Sequence, residues 1–478
     1  MKKVPSEQVI KRLKIENPWW EIQKIPKAYL SFRPRAYLGL FYPLVHTKKI
    51  RRATVLMGPR RVGKTVMLHH TIQNLIDGGC EPKKIGYFSV DHPIYNGLGL
   101  EELLELFSEA TGTNFNEEEC YIFFDEIQYL KNWENHLKVL VDRLPNLKCT
   151  VSGSAAAALR LKSAESGAGR FTDFLLPPLT FHEYLELLGK NHLVTPPEIE
   201  DGFFSSENID ALNESFIHYL NYGGYPEVIF SEIIQADPGR FIKNDIIDKV
   251  LLRDLPGLYG IQDIQELNYL FTTLAFNSSN EVSLEELSKW SGVAKNTIKK
   301  YIEYLEAAFL IRTVHRIDRT AKRFKRANFF KVYLTNPSIR SALFSPITSS
   351  DDAIGPLSET AIFSQWFHSD TPLYYARWKN GEVDIVLLNE RLKAMWAIEV
   401  KWTDRFFHKP QDLKSLIQFC HSNNINDAAV TTLTKSGKLT FDNIHFDFIP
   451  TSIYCYTVGY NIVKGKQNIR EGLTSVST

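Results

Sequence analysis

The chain of 478 residues is short of several things, and each shortage removes a class of protein. It has five cysteines, Cys80, Cys120, Cys149, Cys420 and Cys455, and no C-x-x-C pair. That argues against a disulfide framework or a structural zinc site and fits a reducing compartment. There is no charge imbalance, since Lys+Arg 56 against Asp+Glu 55 leaves +1, so only local charge can name a partner. No apolar run approaches the roughly 18 residues of a membrane span. No apolar stretch of the signal-peptide kind follows Met1-Lys2-Lys3. A cytoplasmic protein without a membrane partner is expected. Repeats and low-complexity tracts are also missing. What remains is an ordinary globular balance, 44% hydrophobic and 23% charged, in a chain long enough for about three domains.

Residues 1–52 hold thirteen Lys/Arg against three Glu, with Trp19, Trp20 and prolines at 18, 26, 34 and 43. They read as a basic arm with short helices. From 53 to 178 short apolar strands alternate with helical stretches, the rhythm of βαβ units and a parallel sheet. Residues 179–280 are mostly helical, 281–334 read as a small helical module with a basic tail, and strands return over 335–478.

Residues 52–57 form a short apolar strand. It runs into Gly58-Pro59-Arg60-Arg61-Val62-Gly63-Lys64-Thr65 and a helix over 66–77, which is G-x-x-x-x-G-K-[ST] in its strand–loop–helix setting. Glycines at 58 and 63 let the backbone curl its N–H groups toward phosphate oxygens, and the helix adds its positive end. Lys64 reaches the β- and γ-phosphates of ATP and the Thr65 hydroxyl binds Mg²⁺. Tyr121-Ile122-Phe123-Phe124 describes a strand buried on both faces. At its end Asp125 is a second Mg²⁺ ligand and Glu126 the general base for water. A third strand ends in hydroxyl residues, where Ser154, or Ser152 in its place, would sense the γ-phosphate. Arg170 would be an arginine finger, from its own or a neighbouring subunit. His69 and His70 form no metal pattern and read as structural.

These motifs, with Asn17-Pro18-Trp19-Trp20 upstream and Leu179-Thr180-Phe181-His182-Glu183-Tyr184 and Gly223-Gly224-Tyr225-Pro226-Glu227 downstream, resemble a prokaryotic AAA/STAND-like P-loop ATPase family with a C-terminal domain of unknown function. The resemblance covers nearly the whole chain. It implies a winged-helix module joined to a restriction-endonuclease-like domain, and makes a homo-oligomer plausible.

The module at 281–334 can also be read from its own residues. Ser283 caps a helix carrying Leu284, Leu287 and Trp290. A turn at Ser291-Gly292-Val293 leads to a second helix over 294–310, with Ile298, Ile302, Leu305 and Phe309 on one face. Lys295, Asn296, Lys299 and Lys300 lie off that face, the arrangement of a DNA-reading helix. Arg312, Arg316, Arg319, Lys322, Arg323, Lys325, Arg326 and Lys331, interleaved by Phe324, Phe329 and Phe330, read as a wing along DNA phosphates.

Further on, Glu382-Val383-Asp384 and Glu399-Val400-Lys401 lie in two predicted strands. Glu399 and Lys401, two apart, share a face, and Asp384 joins them if the strands pair antiparallel. Asp384 and Glu399 would hold Mg²⁺, Glu359 would complete the shell from a helix, and Lys401 would orient water or stabilise the transition state. This resembles the PD-(D/E)xK nuclease signature, with Val383 where that signature has Pro. The expected fold class is α/β: a P-loop NTPase parallel-sheet domain at 53–178, a helical region at 179–280, a winged helix at 281–334 and a nuclease-like domain at 335–478. The expected function is an ATPase whose nucleotide state controls a DNA-contacting half that is a metal-dependent nuclease. The alternative is a nucleotide-gated DNA- or protein-binding regulator with an inactive nuclease-like domain.

Overall fold

A computed structural model describes residues 4–47, 51–153, 169–198, 202–323, 328–369 and 371–475. The chain divides into two compact units, Met1–Pro177 with Lys466–Thr478, and Pro178–Gly465. Among the described residues no helix is long and apolar enough to cross a membrane.

In the first unit five strands form a parallel sheet in the order β2-β3-β4-β1-β5. They are β1 (Ala53–Met57), β2 (Ile85–Ser89), β3 (Cys120–Asp125), β4 (Leu147–Gly153) and β5 (Phe171–Leu175). Every residue of β1 and β3 is buried, as expected where helices cover both faces of a parallel sheet. β2 is an edge strand, and an open edge presents unpaired backbone groups. The arm closes it. Asn17 Nδ2 donates to Tyr87 O at 2.9 Å and its Oδ1 accepts from Tyr87 N at 2.6 Å. The Trp19 and Trp20 indoles donate to Ile85 O at 3.0 and 2.8 Å. One side-chain amide thus supplies what a sixth strand would. Val9 and Leu13 of the arm sit in the same apolar cluster as Val55, Phe88 and Phe124.

The second unit holds nine strands: β6 (Glu281–Ser283), β7 (Ile311–Ile317), β8 (Phe329–Leu334), β9 (Leu373–Trp378), β10 (Gly381–Leu388), β11 (Ala394–Glu399), β12 (Asp427–Thr432), β13 (Gly437–Phe441) and β14 (Ile444–Pro450). They form one sheet in the order β13-β14-β12-β11-β10-β9-β7-β8-β6. β9, β10 and β11 run antiparallel, and β12 adds parallel to β11. Strands from residues 281–334 and from 335 onward are therefore continuous, joined where β7 pairs parallel with β9. Helices Leu284–Ser291 and Lys295–Ala307 lie between β6 and β7. Ser283 and Glu286 form a capping box on the first. Gly292, at φ 72°, ends it in the left-handed conformation that favours glycine. Ile298, Ile302 and Leu305 are buried, whereas Trp290 is half exposed instead of facing the core.

Candidate functional site

The loop between β1 and helix Lys64–Asp77 is shaped by its backbone. Arg61 (φ 64°) and Gly63 (φ 94°) take left-handed conformations, which turn successive N–H groups to one side as an anion nest. Gly58 is required by crowding, since a Cβ there would stand 2.1 Å from Leu176 O. Lys64 is buried and its Nζ donates to Gly58 O and Pro59 O at 3.1 and 2.7 Å, across the loop that would cradle phosphate. Arg35 of the arm braces the loop from behind, donating to Val62 O at 2.8 Å and Pro177 O at 3.1 Å. Pro59, Arg60 and Val62 complete the turn.

Parallel pairing places the end of β3 beside this loop through β4 and β1. Thr65 Oγ1 donates to Asp125 Oδ2 at 2.7 Å. Tyr87 of β2 donates to the same oxygen at 2.8 Å. Ser152 of β4 and the Glu126 amide donate to the other. Asp125 is 2% exposed, a buried carboxylate with both oxygens doubly served. A hydroxyl and a carboxylate oxygen in contact are hard donors of the kind Mg²⁺ takes, so the residues fit that ion. Glu126 leaves the strand at φ 56°, a conformation non-glycine residues adopt only when the surroundings impose it. Its carboxylate accepts from Gln128. His69 is packed between Tyr29 and Tyr87 with Nδ1 on Thr65 O at 2.9 Å. Burial pushes its pKa down to about 4, so it is neutral and helps fix Thr65.

Ser154 lies outside the described residues, and Ser152 is the hydroxyl found on Asp125. Arg170 is not brought to this site. Arg170 precedes β5 and its carbonyl accepts from Ala53 N at 2.9 Å, the end of β1 opposite the phosphate loop. Its guanidinium holds Asp142 at 2.7 and 2.9 Å. Tyr87, Gln128 and Arg35 are neighbours that sequence reasoning missed.

Residues 50–185 match the AAA domain family, and residues 213–351 match a domain of unknown function, DUF8612. Two uncharacterized proteins of Methanocaldococcus jannaschii are 26% and 25% identical. The alignments cover 81% and 72% of this chain and 84% and 74% of theirs. An uncharacterized protein of Haemophilus influenzae is 24% identical over 62% of this chain and 70% of its own. Among solved structures, the Walker-type ATPase of Pyrococcus abyssi is 15% identical, covering 66% of this chain and 99% of that one, with a TM-score of 0.38. The S. cerevisiae Hsp104–ADP complex is 17% identical, covering 70% and 53%, with a TM-score of 0.30. The family match and the loop geometry together support an AAA-like P-loop domain, a fold unit of the nucleotide-binding type.

The second unit gathers the other predicted residues. Ile385 faces Ile398 across β10 and β11, so Asp384 comes opposite Glu399. The register of β10 against β9 shifts between Val383 and Val386, a bulge of the kind that re-aims a side chain. Asp384 Oδ2 accepts from Val400 N at 2.8 Å and faces Lys401 Nζ at 3.4 Å, and Lys401 reaches Glu399 Oε1 at 2.8 Å. Glu359, on helix Ile354–Trp366, accepts from Tyr333 at 2.5 Å and Lys331 at 3.0 Å. Lys331 also stands 2.7 Å from Glu382 and 4.0 Å from Asp384. Burial and the Asp384 charge push the Glu359 and Glu399 carboxyls up, against the pull of the lysines. Burial alone would lower Lys331, but Glu359, Asp384 and Glu382 outweigh it and hold the ammonium charged.

Glu399 Oε2 is buried without a hydrogen-bond partner. In chemistry the carboxylates suit Mg²⁺; in arrangement they do not. Among the described residues no three metal-ligating side chains stand around one point, and the Lys331 ammonium lies between Glu359, Glu382 and Asp384. Lys331 was expected to face DNA phosphates from a wing. Its side chain is 3% exposed, and Arg316 is likewise committed to Glu281 and Arg377 O. Phe324, Lys325 and Arg326 lie outside the described residues, whereas Lys295, Asn296, Lys299 and Lys300 are exposed.

Proposed function

We propose that the chain is a Mg²⁺-dependent ATPase whose nucleotide state controls the second unit. The observation that carries this is the contact of Thr65 with Asp125 beneath a glycine-shaped loop that already holds its lysine. On binding, Lys64 exchanges two loop carbonyls for phosphate oxygens, and the loop amides and the start of the helix take the rest of the charge. Thr65 and Asp125 would hold Mg²⁺, which supplies charge neutralisation at the phosphates. Glu126, tethered by Gln128, takes the proton of the attacking water. The test is ATP turnover by wild type, Lys64→Ala and Glu126→Gln. Glu126→Gln should bind ATP and fail to hydrolyse it; turnover at the wild-type rate would remove Glu126 from this role. Arg170, held on Asp142, is not used here, and a homo-oligomer enters only if a neighbouring subunit supplies the finger.

For the second unit the reading is DNA contact through Lys295, Asn296, Lys299 and Lys300, with binding that weakens as salt rises. The grouping of Asp384, Glu399 and Lys401 on an antiparallel strand pair extended by parallel β12 supports a nuclease-like fold. Whether it cleaves is decided by Mg²⁺-dependent nicking of plasmid DNA, with and without ATP, by wild type and Glu399→Ala. Nicking lost in the variant supports the nuclease. Salt-sensitive binding without nicking supports the regulator with an inactive nuclease-like domain.

A further inference from the structure

We infer that Lys331 is the resident cation of the carboxylate cluster, and that its ammonium and a divalent metal ion exclude one another there. The inference deepens, and rests on, the reading of Glu359, Asp384 and Glu399 as a metal-type site.

Three observations carry it. First, the ammonium stands where the acids converge, at 3.0 Å from Glu359, 2.7 Å from Glu382 and 4.0 Å from Asp384, on a side chain 3% exposed. A charge so buried stays only if paired, and this one has three partners. Secondly, the opposite side of Asp384 is taken by Lys401, which also holds Glu399. Each acid of the proposed shell therefore touches a lysine, yet Glu399 Oε2 has no donor. The acids are paired but the cluster is not completed. Thirdly, the lysine comes from a different part of the sheet than the acids it serves. Lys331 and Tyr333 both lie on β8 and both bond Glu359 of a helix, whereas Glu382 and Asp384 lie on β10.

A metal ion using Glu359 and Asp384 would sit within a few ångströms of the ammonium. At that separation, away from water, like charges repel strongly. Metal entry thus requires Lys331 to leave, and β8 works as a latch on the cluster.

The test is Mn²⁺ uptake by the full-length protein without nucleotide, followed by electron paramagnetic resonance, with melting temperature read on the same samples. Lys331→Met and Lys331→Gln should each take up Mn²⁺ at least tenfold more tightly than wild type and be raised in melting temperature by it. Adding Asp384→Asn should abolish both effects. Equal or weaker uptake by folded variants overturns the inference.

If neither variant melts cooperatively, acetylation of the native protein decides, read at Lys331 by mass spectrometry. Labelling that rises once saturating Mn²⁺ displaces the side chain supports the latch. Mn²⁺ uptake sensitive to Asp384→Asn with unchanged labelling refutes it, as does a lack of any Asp384-dependent uptake. Nicking is the separate readout of the nuclease reading. Uptake by Lys331→Met without nicking sinks the nuclease and keeps the latch. Glu399-dependent nicking with equal uptake by wild type and variant does the reverse.

Discussion

The phosphate loop and the carboxylate cluster are both charged sites built at strand ends, and they are finished to different degrees. Around the loop one buried carboxylate, Asp125, receives four donors from Thr65, Tyr87, Ser152 and the Glu126 amide. In the cluster Glu359, Glu382, Asp384 and Glu399 share Lys331 and Lys401, and one oxygen of Glu399 has no donor. The loop's geometry is set by its left-handed residues and by Lys64 and Arg35, which bond its carbonyls. The cluster is set by long side chains from separate strands, so its electrostatics depend on which cation is present.

The comparison breaks most visibly at Lys64. Lys64→Ala should lower ATP turnover about 100-fold or more, while Asp384→Asn leaves turnover unchanged. Coupled loss in both, seen in a phosphate-release assay, would end the separation of the two sites. Gly58→Ala drives a methyl against Leu176 O and should lower unfolding free energy by roughly 3 kcal/mol, read by chemical denaturation along with loss of nucleotide uptake.

The loop's support from His69 gives a pH signature. Its pKa is held near 4 when folded against about 6.5 when unfolded. The unfolded chain therefore binds a proton that the folded one refuses, and stability falls as pH drops from 6.5 toward 4, by roughly 3 kcal/mol in full. His69→Gln should lose less across that interval in thermal melts, and parallel curves would refute the assignment. Asn17→Ala removes the two amide bonds to Tyr87 on the edge of β2 and should cost about 2 kcal/mol in the same measurement. Arg170→Ala removes a solvent-exposed, salt-screened ion pair and should leave ATP turnover within about twofold of wild type.

The loop was legible because its chemistry is local. Eight consecutive residues between a strand and a helix state it, and Asp125 and Glu126 end the strand that parallel pairing returns to it. The cluster was legible in part. Glu399 and Lys401 announce themselves by strand alternation, and Asp384 by antiparallel pairing. Glu382 and Lys331 do not, because no local pattern says that β8 lies in the same sheet as β10. Lys331 was read with its basic neighbours as one charged surface, but alternate residues of a strand face opposite ways, and this one turns inward. Asn17-Pro18-Trp19-Trp20 was visible as a motif without a purpose. Its task, closing the edge of β2, exists only once the strand order is known. Trp290 kept helical spacing with Leu287 yet stayed half exposed, since spacing names a face and not what covers it.

Everything proposed for the first unit turns on uptake of a Mg²⁺–triphosphate by the loop from Gly58 to Thr65. Titrating ATP with Mg²⁺ into the full-length protein in a calorimeter tests it most directly. Wild type should bind one equivalent, with no heat of binding from Lys64→Ala. Silence from wild type, or equal uptake by both, would contradict it.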